Sequence, residues 1–330
     1  MPTVSVVVPA HQASRVLPPC LDALARSELR PSEVIVVDDG PSTDGTGEVA
    51  RARGARVVET PRRLGPGGAR NAGVAAAAGE VVVFVDADVC ARPDALGLLV
   101  EELDRDSSTV AAFGSYDTSP PGTNFTSQYK NLMHHYVHQR GREEAFTFWA
   151  GLGAVRRAAF LAAGGFDAER YPRPSIEDIE LGGRLLRAGG RIRVVKAAQG
   201  THLKNWTLTG LLRTDVFDRG VPWTELLLSS GGLPDDLNLG LRHRVGVAAT
   251  GLALASLPFS VARRKFPWAA LFFAAVAAGA GSDAIAFLAR QRGWAFAVRA
   301  IPLHLAYFAE SGAAFLIGAG KHFVRGAPRR

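Results

Sequence analysis

Cysteine is almost missing from this chain of 330 residues, which holds only Cys20 and Cys90. Two isolated thiols exclude a disulfide-stapled framework, and there is no Cys-x-x-Cys pair to hold zinc. A reducing compartment is the natural home of the globular part. The start, Met1-Pro2-Thr3-Val4-Ser5, lacks the basic residues and cleavage site of a secretory signal, so export is not expected. No internal repeat or long low-complexity linker is present, which argues against a solenoid. The phosphate-binding Lys-Ser/Thr pair of a Walker loop is absent too. The formal charge is +7, yet no helix-turn-helix, finger or RNA-binding signature accompanies it, so nucleic acid is not the expected partner.

What is abundant is apolar residue, at 47% of the chain, and it is unevenly placed. Up to about residue 240 the composition is that of a globular domain; beyond it come three apolar segments, 245–262, 266–289 and 300–320. About 20 apolar residues are needed to cross a hydrocarbon core. The first segment is borderline and contains Pro258; the second carries Asp283; the third carries His304 and Glu310. Arg242, Arg244, Arg263, Arg264, Arg290, Arg292 and the run from Arg325 to Arg330 flank them, as expected for an anionic membrane surface. If all three cross from a cytosolic catalytic domain, Arg263-Arg264-Lys265 and the tail from Lys321 fall outside, against the positive-inside tendency. Two crossings, with the first segment lying in the interface, fit the charges better. The expected division is therefore a catalytic domain over 1–240 and membrane-anchoring helices over 241–330.

Within the first part, Val4–Val8, Val34–Val37 and Val81–Val85 are short β-branched runs. Such runs suit strands buried on both faces of a parallel sheet. Helix-like stretches, 16–27, 46–53 and 68–78, alternate with them, which predicts an α/β, Rossmann-type, mostly parallel sheet with helices on both faces. Ligands of such sheets collect at the carboxyl ends of the strands. The three runs end in Pro9-Ala10-His11, Asp38-Asp39-Gly40 and Asp86-Ala87-Asp88.

Asp86 and Asp88, one residue apart after a buried strand, can share a hard divalent ion such as Mg²⁺ or Mn²⁺, which in turn suits a diphosphate. Taken alone the pair is equally a solvated turn. Asp38 and Asp39 can hydrogen-bond a base or ribose. Gly65-Pro66-Gly67-Gly68-Ala69-Arg70 enters a helix, where amides attract phosphate; it reads equally as a close-packing turn. Trp149 can stack on a sugar or fill the core. His134, His135 and His138 lack nearby acids of matching geometry, and a helix near the membrane or acceptor is their better reading. Asn124-Phe125-Thr126 and Asn205-Trp206-Thr207 fit the glycosylation triplet, which a cytosolic domain leaves unused.

In order, Val4-Ser5-Val6-Val7-Val8-Pro9-Ala10-His11, Val37-Asp38-Asp39-Gly40, Ala69-Arg70-Asn71-Ala72-Gly73, Asp86-Ala87-Asp88, Gly164-Gly165-Phe166-Asp167 and Glu177-Asp178-Ile179-Glu180-Leu181 resemble the landmarks of family 2 glycosyltransferases. The resemblance spans about residues 3–225 and implies a GT-A-like fold, a nucleotide-sugar donor (UDP- or GDP-sugar) and a divalent metal. It implies that Asp39 contacts the base, with Pro9 and Ala10 lining the same pocket and Arg70 on the donor side. Asp86 would face ribose and metal, Asp88 would ligate the metal, and His202 is a further candidate ligand. Asp178 would be the general base of an inverting transfer, oriented by Glu177. Arg213, Arg219 and Trp223, with Asp215, are candidates for a lid over diphosphate or acceptor. The stretch Arg219-Gly220-Val221-Pro222-Trp223 departs from the Q-x-x-R-W pattern of processive synthases, which puts polymerisation in doubt. The membrane segments point to a lipid or lipid-linked acceptor at the cytosolic face of the inner membrane. Sugar nucleotidyl transfer is a second reading, weakened by the absence of a Gly-rich basic loop after the first strand; a non-catalytic membrane scaffold is a third.

Overall fold

The computed structural model describes residues 2–230, 240–263 and 267–325, which fall into two compact units, 1–205 and 206–330. The boundary lies earlier than the composition change near residue 240, because helices from Leu208 onward associate with the apolar ones. Arg264, Lys265, Phe266 and the tail beyond Arg325 lie outside the described residues.

The first unit holds eight strands: β1 (Val4–Ala10), β2 (Glu33–Asp38), β3 (Arg56–Glu59), β4 (Val81–Val85), β5 (Val89–Ala91), β6 (Thr109–Tyr116), β7 (Leu152–Arg156) and β8 (Arg191–His202). Their order in one sheet is β3-β2-β1-β4-β7-β6-β8-β5. The pairs β1–β2, β1–β4, β2–β3 and β6–β8 are parallel, whereas β4–β7, β6–β7 and β5–β8 are antiparallel. Seven helices accompany them: α1 (Leu17–Ala25), α2 (Thr46–Ala52), α3 (Gly65–Ala76), α4 (Ala95–Arg105), α5 (Phe125–Arg140), α6 (Arg157–Ala162) and α7 (Glu177–Arg187).

The unbroken apolar runs have a simple cause. Along β4, Val81, Val83 and Val85 enter one core with Leu21 of α1 and Leu99 of α4. The alternate residues Val82 and Phe84 enter the other, with Val74 of α3, Phe160 of α6 and Leu181 of α7. A strand covered on both faces needs no polar side, so alternation disappears. Phe84 meets Phe148, Phe160 and Phe166 with ring centroids 6.4, 5.7 and 5.4 Å away. This aromatic packing fixes the loop before α7 against the end of β4.

The second unit contains α8 (Leu208–Arg213), a π-helical turn (Thr214–Gly220), α9 (Val221–Ser230), α10 (Leu241–Ala262), α11 (Trp268–Ala280), α12 (Ser282–Arg292) and α13 (Trp294–Arg325). Among the described residues, α10 and α13 are each long and apolar enough to cross a membrane. The expected segment 266–289 is instead two helices, α11 and α12, bent by 57°. The bend thus falls in the second segment, and α10 stays helical through Pro258.

Close approaches at small residues knit the second unit together. A Cβ on Gly246 would stand 2.5 Å from the Phe308 ring, and one on Gly281 would stand 2.6 Å from His304. Farther along α13, a Cβ on Gly318 would come within 2.6 Å of Thr224 in α9. Small residues at helix crossings let backbones approach where hydrophobic burial alone gives little drive.

Candidate active site

Because β1, β2 and β4 run parallel, Pro9-Ala10, Asp38-Asp39 and Asp86-Asp88 share one rim of the sheet. The loops after β1 and β2 are stitched together: Ser42 Oγ accepts from Gln12 N at 3.0 Å, and Thr46 Oγ1 from Ala13 N at 2.8 Å. Asp44 accepts from Ser14 N at 2.9 Å. Gln12 adopts a left-handed backbone, φ 48°. The N–H of Asp39 donates to the carbonyl of Ala10 at 2.8 Å, which closes this floor.

The Asp39 carboxylate is buried and already employed. It accepts from the backbone N–H groups of Leu64 (2.7 Å) and Gly65 (2.9 Å) and from the Thr60 hydroxyl (3.2 Å). Asp39 thus holds the amino-terminal end of α3, where the helix dipole favours a negative charge.

Arg70, on α3, is the hub of the rim. It is 4% exposed, and its guanidinium donates to Asp86 Oδ1 at 2.7 Å and to Glu177 Oε1 at 3.1 Å. The Phe166 ring lies 5.5 Å from its central carbon. Burial works against the charge on Arg70, but Asp86, Glu177 and Asp178 outweigh it and raise the group above its ordinary range. Asp86 is pushed upward, first by burial and also by Asp88, with Arg70 opposing.

Glu177 and Asp178 open α7. Glu177 Oε2 accepts from Ser175 N at 2.9 Å. Asp178 Oδ2 accepts from Ala150 N at 3.1 Å and Oδ1 from Ile179 N at 2.9 Å. The next residue after Ala150, Gly151, accepts from Asp86 N at 3.0 Å. One turn of backbone before β7 therefore touches both Asp178 and Asp86. Trp149 borders it, and a Cβ on Gly151 would stand 2.4 Å from the indole.

On the other side, Asp88 Oδ2 lies 3.4 Å from His202 Nε2 at the end of β8, and Asp88 O accepts from Leu203 N at 2.8 Å. Burial acts to raise Asp88, but the bond and charge of His202 outweigh it and hold the carboxyl low. His202 is stacked on Tyr116, centroids 4.1 Å apart and planes within 6°. Tyr116 in turn meets Trp149 edge-on at 4.9 Å and His134 at 4.3 Å. His135 and His138 donate through Nδ1 to the carbonyls of Tyr116 (2.7 Å) and Gly114 (3.1 Å), so these histidines fasten α5 to β6.

Pro9, Ala10, Asp39, Arg70, Asp86, Asp88, Trp149, Glu177, Asp178 and His202 thus all belong to the first unit. Arg213, Arg219 and Trp223 lie in the second, at the end of α8, in the π-helical turn and in α9. Sequence reasoning missed Tyr116 and the buried Asp117, which accepts from Thr201 Oγ1 at 2.5 Å. Their only signal is an aromatic–acid pair at the end of a strand.

Residues 5–163 match the model of glycosyl transferase family 2. The succinoglycan biosynthesis protein ExoO of Rhizobium meliloti (strain 1021) is 34% identical over 114 residues, 34% of this chain and 32% of that protein. The pre-mycofactocin glycosyltransferase of Mycobacterium tuberculosis (strain CDC 1551 / Oshkosh) is 31% identical over 196 residues, 54% of this chain and 40% of that protein. The chain thus spans well under two thirds of the length of these curated relatives. Among solved structures, the mannosyltransferase PcManGT from Pyrobaculum calidifontis, in complex with GDP-Man and Mn²⁺, superposes with a TM-score of 0.62 at 21% identity, covering 96% of this chain and 87% of that one. That likeness establishes the fold. Residues 5–163, just under half of the chain, thus carry a glycosyl transferase family 2 domain, and the first unit has the GT-A fold.

Proposed function

We propose that the protein transfers a sugar, with inversion, from a nucleotide-diphosphate sugar to an acceptor hydroxyl or phosphate, with a divalent ion at Asp88 and His202. The observation that carries this reading is the joint placement of two chemistries on one rim. Asp88 and His202 face each other at 3.4 Å. The candidate base Asp178 hangs on the same short backbone turn, Ala150-Gly151, that holds Asp86.

The donor set fits such an ion. A carboxylate oxygen and an imidazole nitrogen suit Mn²⁺ or Mg²⁺, and Asp86 keeps a side chain that is 31% exposed. Among the described residues, no group of three or more His, Cys, Asp or Glu side chains encloses a metal. That is in keeping with an open site, since ions of this class are held by one or two carboxylates together with substrate phosphates. The PcManGT complex, with GDP-Man and Mn²⁺, supports the same choice of donor class and metal. When bound, the ion supplies positive charge to the departing diphosphate.

The chain's own residues do the rest. Pro9, Ala10 and the Asp39 loop form the floor for the base. Asp178 takes the proton of the acceptor hydroxyl at Oδ2 or Oδ1 as the oxygen attacks the anomeric carbon, and the nucleoside diphosphate leaves from the opposite face. Ala150 N and Ile179 N hold that carboxylate at 3.1 and 2.9 Å, so it needs little reorganisation on reaction. Glu177, tied to Arg70 and Ser175, orients the turn that carries Asp178. The lining of Trp149 supplies an aromatic face for a sugar ring. The long apolar helices of the second unit support a membrane location and a lipid or lipid-linked acceptor, with the catalytic unit on the cytosolic face.

The test is binding and hydrolysis of a panel of UDP- and GDP-sugars by the detergent-purified protein, with Mn²⁺, Mg²⁺ or chelator. One donor should be engaged only with metal, and Asp88→Asn should abolish that engagement. Asp178→Asn should keep donor binding and lose turnover by about 10²–10⁴-fold, the usual worth of a general base. Full turnover in Asp178→Asn overturns the base assignment; no engagement of any donor by folded protein overturns the transferase reading.

A further inference from the structure

We infer that Arg70 is a positioning residue that couples the donor side of the site to the acceptor side, and that it does not bind the diphosphate itself. The inference rests on the transferase reading above for the names of the two sides, but the bridge itself stands on geometry.

Burial and its two carboxylate partners close Arg70 off from a ligand in this structure. Its side chain is 5% exposed, one terminal nitrogen is committed to Asp86 and the other to Glu177. The remaining nitrogen, Nε, is buried without a hydrogen-bond partner. A planar guanidinium suits this task better than an ammonium, because its fork reaches two carboxylates in fixed directions. The two carboxylates belong to distant pieces of chain: Glu177 is 107 residues from Arg70 and Asp86 is 16. Asp86 follows β4 on the donor side, and Glu177 opens α7 beside Asp178 on the acceptor side.

One positive charge shared between two carboxylates makes them competitors. Glu177 draws the guanidinium away from Asp86 and leaves Asp86 more of its negative charge for cation and ribose. Neutralising Glu177 lets Arg70 attend to Asp86 alone, which weakens the donor side although Glu177 touches nothing there. Conversely, neutralising Asp86 frees Arg70 to pull on α7 and the turn holding Asp178. Buried pairs of this kind respond strongly to loss of one partner.

The experiment is a double-mutant cycle read by calorimetry on the full chain in detergent, with UDP and GDP as probes in the presence of Mn²⁺. Glu177→Gln should weaken nucleotide affinity about 3–10-fold in the otherwise wild-type protein, and less than about 2-fold in Arg70→Met. A direct diphosphate ligand gives the opposite pattern: Glu177→Gln without effect, and Arg70→Met costly whichever residue stands at 177. Should Arg70→Met fail to fold, Arg70→Lys keeps the charge but reaches one carboxylate at a time. It should show the same non-additivity, reduced. A ligand-free arm separates this inference from the transferase reading. By hydrogen exchange, Asp86→Asn should raise exchange about 5-fold or more at 176–180, and Glu177→Gln should do so at 84–88. If no nucleotide binds but the reciprocal exchange appears, the bridge stands and the donor reading falls. Absence of reciprocal exchange overturns the bridge.

Discussion

The imidazole of His202 lies flat on the phenol ring of Tyr116, 4.1 Å between centroids and 6° between planes. The stack fixes which way Nε2 points, and it points at Asp88. Partners that orient a metal-binding histidine typically change metal affinity 10–100-fold when removed. Tyr116→Leu should therefore weaken Mn²⁺ binding by about 10-fold in the presence of nucleotide, measured by electron paramagnetic resonance of the free ion. Tyr116→Phe keeps the ring and should stay within about 2-fold. Equal losses in both variants would show that the hydroxyl, not the stack, matters.

Much of this fold is legible in the sequence because its cause is local. Val4–Val8 and Val81–Val85 are read as buried strands since all their residues but Ser5 are apolar, and the structure covers both of their faces. The Tyr116–His202 stack is not legible. It depends on the parallel pairing of β6 with β8, which sets Tyr116 opposite Gly200 across a register shift. The Arg70–Glu177 bridge is hidden for the same reason, being a product of sheet order and not of spacing. The break at Gly281 had a signal, Gly279-Ala280-Gly281-Ser282-Asp283, but hydropathy averages over it.

Asp44 ties the first two loops of the rim and makes a contribution that depends on pH. Its carboxylate accepts from Thr46 Oγ1 at 2.6 Å, Thr46 N at 3.1 Å and Ser14 N at 2.9 Å. The Thr46 hydroxyl leads in lowering its pKa from 3.8 to about 2. A carboxyl that is more acidic in the folded state stabilises it above its unfolded pKa, and that support is lost as pH falls through the folded value. The Tm difference between wild type and Asp44→Asn should be constant at neutral pH and narrow between about pH 4 and pH 2. A difference that is the same at pH 3 and pH 7 would rule the carboxylate out as its source.

Gly65 and Gly164 separate two costs of replacing glycine. Both have left-handed backbones, φ 79° and 81°. A Cβ at Gly65 would stand 2.3 Å from the Pro172 carbonyl oxygen, whereas one at Gly164 meets nothing within 4 Å. Gly164→Ala should cost about 1–2 kcal/mol, the price of the conformation alone. Gly65→Ala should cost clearly more, because the loop before α7 must move as well, and it should loosen the amides that Asp39 holds. Urea unfolding of the two variants side by side measures this; equal losses would mean that the Pro172 loop yields freely.

The course of the apolar helices follows from one ion pair. Arg242, at the start of α10, pairs with Asp283, at the start of α12. Gly246 and Gly281 both crowd side chains of α13, Phe308 and His304, that are neighbours on that helix. The end of α11 is therefore level with the beginning of α10, so α10 and α11 run antiparallel. Charged partners such as Arg242 and Asp283 belong at a membrane surface, because neither is cheap to hold in hydrocarbon. In membrane vesicles of a protein with both native cysteines changed to serine, Arg242→Cys and Ser282→Cys should label from the same side. Arg263→Cys should label only from the opposite side. On this arrangement α12, with Asp283, Arg290 and Arg292, lies along the surface and does not complete a crossing begun by α11. Labelling of Ser282→Cys and Arg263→Cys from one side would instead make α10 an interfacial helix, as its length and Pro258 alone suggest.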